Sequence, residues 1–316
     1  MTGEKKQITL SELANENFWH ALNPDAHITD TPFVGVSEVK FTDEEQQSLT
    51  QHMFVDGYFQ TSSVLDVNEL AKLRDICITL YENGLMPLFA MVYDEFWQLV
   101  IKLRNCYAPI LGDSYRLTPD CWVFYVRPDI NAHGWTAHRD AQFDKKFIEH
   151  GLPYLLTVWV PLTDVTTNDA CMYAIPRTYD EVYHKIRSGH MANSLEGAAP
   201  IQLNHIRALP VKAGEMLGWD ATLLHWGGTS SYWAASPRIS IGIYFQSASF
   251  VSLASNYDSS RSFIEHDNLS SVLSFENRLR IIANNLKTYK ANIETGVEDN
   301  YCEVFRQFRD EWQWKL

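Results

Sequence analysis

The chain has 316 residues, 46% hydrophobic and 13% aromatic, which is enough apolar material for a large core and too much for a disordered chain. Its formal net charge of −13 repels phosphate backbones and anionic lipid, arguing against nucleic acid or a membrane surface as partner. Five scattered cysteines with no C-x-x-C pair indicate reduced thiols rather than a disulfide framework.

The N-terminus "MTGEKKQITLSELANENFWH" carries no apolar core of signal-peptide length, and the run "PYLLTVWVPL" (153–162) is too short to span a bilayer. A soluble, cytoplasmic protein is expected.

Along the chain, the first third reads as helical. Thr9-Leu-Ser-Glu12 and Thr42-Asp-Glu-Glu45 have capping-box spacing, and Asp66 is placed to cap a helix ending before Gly84. The stretch 87–110 starts with Pro and is apolar on more than one face, which predicts a helix buried against something flat, such as a sheet.

From about residue 115 the texture changes to short β-branched and aromatic runs punctuated by Gly, Pro, Asn and Asp. "DCWVFYVRP", "PYLLTVWVPL", "CMYAIP", "IQLNHIRALPV", "GEMLGWD" and "PRISIGIYFQ" predict a sandwich or barrel rather than βαβ units. Helical patterning returns after about residue 260. The expectation is one domain over 1–316, with a mainly helical part (1–112), a β core (113–250) and C-terminal helices (251–316). The helices at 268–313 either pack on that core or form a homodimer interface.

His138-Arg139-Asp140 fits two kinds of protein: a kinase catalytic loop or a pair of metal ligands. A kinase needs Asn five residues beyond its Asp, where this chain has Lys145; no D-F-G follows and no Gly-rich loop precedes. As metal ligands, two residues separated by one on a strand share a face, so imidazole and carboxylate can bind one ion together.

A second stretch, 213–246, offers His225 before Gly227-Gly228, then Arg238 and Ser240 on one face of an expected strand. An Arg inside an apolar strand needs an anionic partner, either a protein carboxylate or a dicarboxylate held through bidentate hydrogen bonds. Two His and one carboxylate form the facial triad that leaves positions open on a non-haem Fe(II). Zinc would also accept the set, but a zinc site leaves the inward Arg-x-Ser unexplained. His133 is held in reserve as a ligand.

On "WTAHRD", "LTVWVPLTDVTTNDACMYAIP", "AGEMLGWDATLLHWGGTSS" and "PRISIGIYFQ", from about residue 53 to about 247, the chain resembles the phytanoyl-CoA dioxygenase-like group of Fe(II)/2-oxoglutarate oxygenases. The resemblance implies a double-stranded β-helix (a jelly roll), with Fe(II) on His138, Asp140 and His225. It places the distal carboxylate of 2-oxoglutarate on Arg238 with Ser240, and Trp159 at a position that often lines the cosubstrate pocket. O₂ is the co-reactant, and succinate and CO₂ are released. Where the group often has Pro-Gly-Ser-His, this chain has Pro176-Arg177-Thr178-Tyr179, so no relative's substrate transfers to it. Halogenating relatives lack the carboxylate ligand; Asp140 makes hydroxylation or another oxidation of a small organic molecule the expectation.

Arg127 and Arg177 are the candidate substrate contacts. Two other readings remain: a cupin-type protein or peptide hydroxylase, and a catalytically silent β-helix binding module.

Overall fold

In the computed structural model the described residues are 8–143 except 32 and 105, then 151–188, 201–249, 273–290, 293 and 300–312. Helices α1 (Leu10–Leu13), α2 (Glu16–Leu22) and α3 (Asp43–Asp56) lead into β1 (Tyr58–Gln60) and α4 (Val67–Glu82). Both expected capping boxes form, Thr9 with Glu12 and Thr42 with Glu45. Asp66 accepts the Asn68 amide at 2.7 Å to start α4.

The single helix expected over 87–110 is instead three pieces: a 3₁₀ segment at Pro87–Val92, then α5 (Asp94–Leu103) and α6 (Ala108–Leu111). The break has a tertiary cause. Tyr93 is extended, and the Asp94 amide donates to His27 O at 2.8 Å. The Asp94 carboxylate accepts the Thr29 amide and the buried guanidinium of Arg278, 65 and 184 residues away in sequence.

The β core follows as β2 (Tyr115–Val126), β3 (Leu155–Pro161) and β4 (Met172–Ala174), then the short helix α7 (Glu181–Arg187). After it come β5 (Arg207–Leu209), β6 (Leu217–Asp220), β7 (His225–Gly227) and β8 (Arg238–Ser247). They form two antiparallel sheets, ordered β1-β6-β3-β8-β2 and β5-β4-β7. This is the jelly-roll class expected from the sequence. Helices α8 (Phe275–Thr288) and α9 (Glu303–Glu311) pack against one another, and α8 against β2.

Register assigns each side chain of the large sheet to one of two cores. On β8, Ile239, Ile241, Ile243 and Phe245 join Leu156, Val158 and Val160 of β3 in a core shared with the helices. The alternate residues Arg238, Ser240, Gly242 and Tyr244 face the small sheet, as do Thr157 and Trp159. Strand side chains alternate faces, so one buried strand serves both the packing and the site. The apolar face of α8 is occupied by the core, with Leu279, Ile282 and Leu286 fully buried. Among the described residues no helix is long and apolar enough to cross a membrane.

Candidate functional site

Between the sheets lies a narrow cavity of about 20 Å³. Its lining brings together His138, Asp140, His225, Arg238 and Trp159, which are far apart in the chain. His138 and Asp140 are not on a regular strand, as the sequence suggested. The segment around them instead pairs irregularly with the edge of β7, through His138 N–H to His225 O and His225 N–H to His138 O, both 3.0 Å. That exchange sets the two imidazoles 4.4 Å apart, centre to centre.

Asp140 completes the cluster. Its Oδ1 is 3.3 Å from His138 Nε2 and 3.6 Å from His225 Nε2, and one ligand atom from each residue lies within 4.8 Å of the others. Each His Nδ1 faces a backbone carbonyl, Thr136 O at 2.6 Å for His138 and Leu223 O at 3.0 Å for His225. A carbonyl only accepts, so Nδ1 carries the proton and the Nε2 lone pair points into the cluster. The other carboxylate oxygen, Oδ2, accepts Thr157 Oγ1 at 2.7 Å and Trp219 Nε1 at 2.9 Å.

The electrostatics suit a cation. Burial alone would raise the Asp140 pKa, but the two adjacent imidazoles and the hydrogen bond from Thr157 outweigh it and hold the carboxyl well below the usual carboxylate range. Burial pushes the His225 imidazole down to about 4, against the pull of Asp140, so it is neutral at physiological pH. An ionised carboxylate and a neutral imidazole are the protonation states that bind a metal.

At the other end of the pocket Arg238 is 2% exposed. Its Nη1 donates to Ala170 O at 2.7 Å, and its guanidinium lies over Phe124 and Trp159, 5.7 and 5.8 Å from the ring centres. Ala170 holds φ +56°, a left-handed conformation uncommon outside glycine, at the residue whose carbonyl meets this arginine. Gly134 and Gly227 make room behind it. A Cβ on Gly134 would come within 2.6 Å of the Gly227 Cα and 3.1 Å of an Arg238 nitrogen. Ser240 Oγ and Trp159 Nε1 are buried without a hydrogen-bond partner. Leaving such groups unsatisfied costs about 1–3 kcal/mol each, so the pocket is built for an occupant that accepts from them.

Two proposed contacts need correction. Arg177 does not face the pocket: it is buried against Asp220, donates to Gly151 O at 2.7 Å, and lies over the Tyr183 ring. Arg127 is 43% exposed, pairs with Asp129 at 3.6 Å, and is not among the lining residues. His133 lies outside the three-residue cluster, its backbone bridged to Thr229.

Sequence reasoning missed the residues that hold the cluster in place. Thr157 and Trp219 were legible only as alternate residues of two strands, with nothing local to mark them as partners of Asp140. Arg139, between the two ligand candidates, donates to both oxygens of buried Asp180 at 2.6 and 3.1 Å and to Thr222 O at 2.5 Å. Thr222 is in turn held by Asp220, whose Oδ1 accepts its amide and hydroxyl.

The family model described as phytanoyl-CoA dioxygenase (PhyH) matches residues 89–232, a span that includes the three clustered residues. Over that span the chain is similar to the phytanoyl-CoA dioxygenase family. Arg238 lies beyond the matched span, and its place in the same pocket as the cluster is a finding of the structure. No curated protein sequence matches the chain.

Among solved structures, the fold is similar to a non-haem monooxygenase, ThoJ, in complex with nickel, at 17% identity and a TM-score of 0.52, covering 78% of this chain and 99% of that one. EctD from S. alaskensis with 2-oxoglutarate and 5-hydroxyectoine is 18% identical with a TM-score of 0.44, covering 71% of this chain and 84% of that one.

Proposed function

We propose that this protein is an Fe(II)- and 2-oxoglutarate-dependent dioxygenase that oxidises a C–H bond of a small organic molecule, hydroxylation being the default outcome. The observation that carries the reading is one pocket lined by a cluster of two imidazoles and a carboxylate and by a buried arginine, with the Trp159 indole N–H buried there without a hydrogen-bond partner. His138, Asp140 and His225 would hold the iron, and their donor chemistry, two imidazole nitrogens and one carboxylate oxygen, fits it. Arg238 and Ser240 would receive the distal carboxylate of 2-oxoglutarate, with Trp159 lining the same end. Iron and 2-oxoglutarate together supply O₂-dependent oxidation, which yields succinate, CO₂ and the oxidised substrate.

The chain's own residues supply the frame. Thr157 and Trp219 tie down one oxygen of Asp140 so that the other faces the imidazoles. Phe124, Trp135, Met172 and Tyr244 line the pocket and restrict water there. A cytoplasmic site of action is supported by five free cysteines, four of them buried. We also propose a single functional domain over 1–316, supported by the packing of α8 on β2.

The test is succinate formation from 2-oxoglutarate by iron-loaded protein in air with ascorbate. A slow background is expected without substrate, raised severalfold by the true substrate and absent from His138→Ala and His225→Ala. No succinate above those variants, across a screen of small metabolites, overturns the reading.

A further inference from the structure

Three buried side-chain N–H or O–H groups that line or border the pocket have no hydrogen-bond partner: Ser240 Oγ, Trp159 Nε1 and Trp135 Nε1. The first two belong to residues already assigned to the cosubstrate. The third does not. Trp135 is 7% exposed and lines the pocket, so its indole N–H is out of reach of bulk water yet unsatisfied by the protein. An indole nitrogen donates and cannot accept, so its missing partner is an acceptor.

The position of the ring indicates which acceptor. Trp135 directly follows Gly134, whose backbone abuts the Arg238 guanidinium and Gly227. Its carbonyl accepts the Gly227 amide at 2.9 Å, which pins the backbone to β7. The ring stands 5.8 Å from the His138 imidazole and 5.1 Å from Phe124, the ring beneath Arg238. Trp135 therefore lies on the stretch of wall that joins the metal cluster to the arginine. A 2-oxoglutarate molecule bound as proposed must run along that stretch, one end at the cluster and the other at Arg238.

We infer that the Trp135 indole N–H donates a hydrogen bond to a carboxylate oxygen of bound 2-oxoglutarate, making Trp135 a third cosubstrate contact beside Arg238 and Ser240. The inference rests on the cosubstrate reading above. Trp122, Trp135 and Tyr289 form a packed aromatic group behind the contact, which fixes the indole before any ligand arrives. A donor held in place loses little freedom on binding.

The experiment is an anaerobic titration of the Fe(II) protein with 2-oxoglutarate, followed by its charge-transfer absorption, in wild type and Trp135→Phe. Phe keeps an aromatic ring and removes the N–H together with part of the indole's volume, which the unchanged Fe(II) midpoint controls for. A hydrogen bond to a charged acceptor predicts a midpoint raised about tenfold or more, with the Fe(II) midpoint in the absence of 2-oxoglutarate unchanged. A 2-oxoglutarate midpoint within about twofold of wild type overturns the inference.

A wild-type protein that develops no absorption at all would count against the cosubstrate reading itself, a separate failure. A second readout needs no substitution: the indole N–H resonances of ¹⁵N-labelled wild type loaded with Zn(II). On adding 2-oxoglutarate, two of them, from Trp159 and Trp135, move downfield. A Trp135 resonance that stays in place overturns the inference even if Trp135→Phe fails to fold.

Discussion

The two walls of the pocket are built by different physics. One wall is the large sheet, where β8 reads Arg-Ile-Ser-Ile-Gly-Ile-Tyr-Phe and every residue from Arg238 to Ser247 is buried. There the backbone ladder decides which side chains face the pocket, and the side chains of the other face are held by the helix-side core. The opposite wall is the irregular segment 133–141 against β7 and the turn 220–224. It has only isolated bridges, and its shape depends on side chains bonded to backbone. Two buried ion pairs, Arg139–Asp180 and Arg177–Asp220, meet at Thr222 and tie this wall together. A regular strand tolerates the loss of a pocket side chain, whereas an irregular wall held by charges does not.

Substitutions can break or sharpen that contrast. The largest effect is expected from Asp140→Ala, which removes the one carboxylate of the cluster. Succinate formation should fall to the level of metal-free protein, and Co(II) titration followed by visible absorption should show loss of tight binding. Full activity in this variant would remove the cluster from the chemistry altogether.

Next comes the frame of the irregular wall. Arg139→Met strands Asp180 as a buried charge and should destabilise the protein by about 3–5 kcal/mol, read from the urea midpoint. Arg139→Met with Asp180→Asn should recover much of that, because Asn keeps the cap on Val182 and Tyr183 without the charge. Equal stability of the single variant and wild type would mean that the pair does not hold this wall.

On the regular wall, Arg238→Lys should separate binding from stability. The planar fork is lost and the charge kept, so 2-oxoglutarate affinity should drop about 10- to 100-fold, about 1.5–3 kcal/mol. The urea midpoint should move much less than in Arg139→Met. A large stability loss with unchanged 2-oxoglutarate affinity would reverse the roles assigned to the two walls.

The smallest expected effect is at the seam. Trp219→Phe removes one of the two donors to Asp140 Oδ2 and leaves Thr157 in place, costing about 1 kcal/mol. Co(II) affinity should weaken about fivefold. No change would mean that Thr157 alone orients the carboxylate.

The sequence by itself determined the periodic parts. Capping boxes at Thr9 and Thr42 and the cap at Asp66 are local hydrogen bonds, so four residues of text suffice to read them. Alternation along 238–247 and 155–161 tells which residues share a face, because a strand has a fixed period of two. It thereby sets Arg238 beside Ser240 and Thr157 beside Trp159.

Tertiary structure decided everything that pairs distant segments. It split 87–110 at Asp94, since the tie to His27, Thr29 and Arg278 outweighs the continuous helical pattern. It turned Arg177 toward Asp220 and Arg238 into the pocket, although both are arginines among apolar neighbours in the text. It gave Asp140 its partners on β3 and β6 and left the Trp135 N–H buried without a partner in the protein. Segment 133–141 has no period for a reader to follow, and its conformation exists only against His225, Gly227 and Ala221. Contacts of that kind are fixed by long-range closure of the chain, which no window of neighbouring residues encodes.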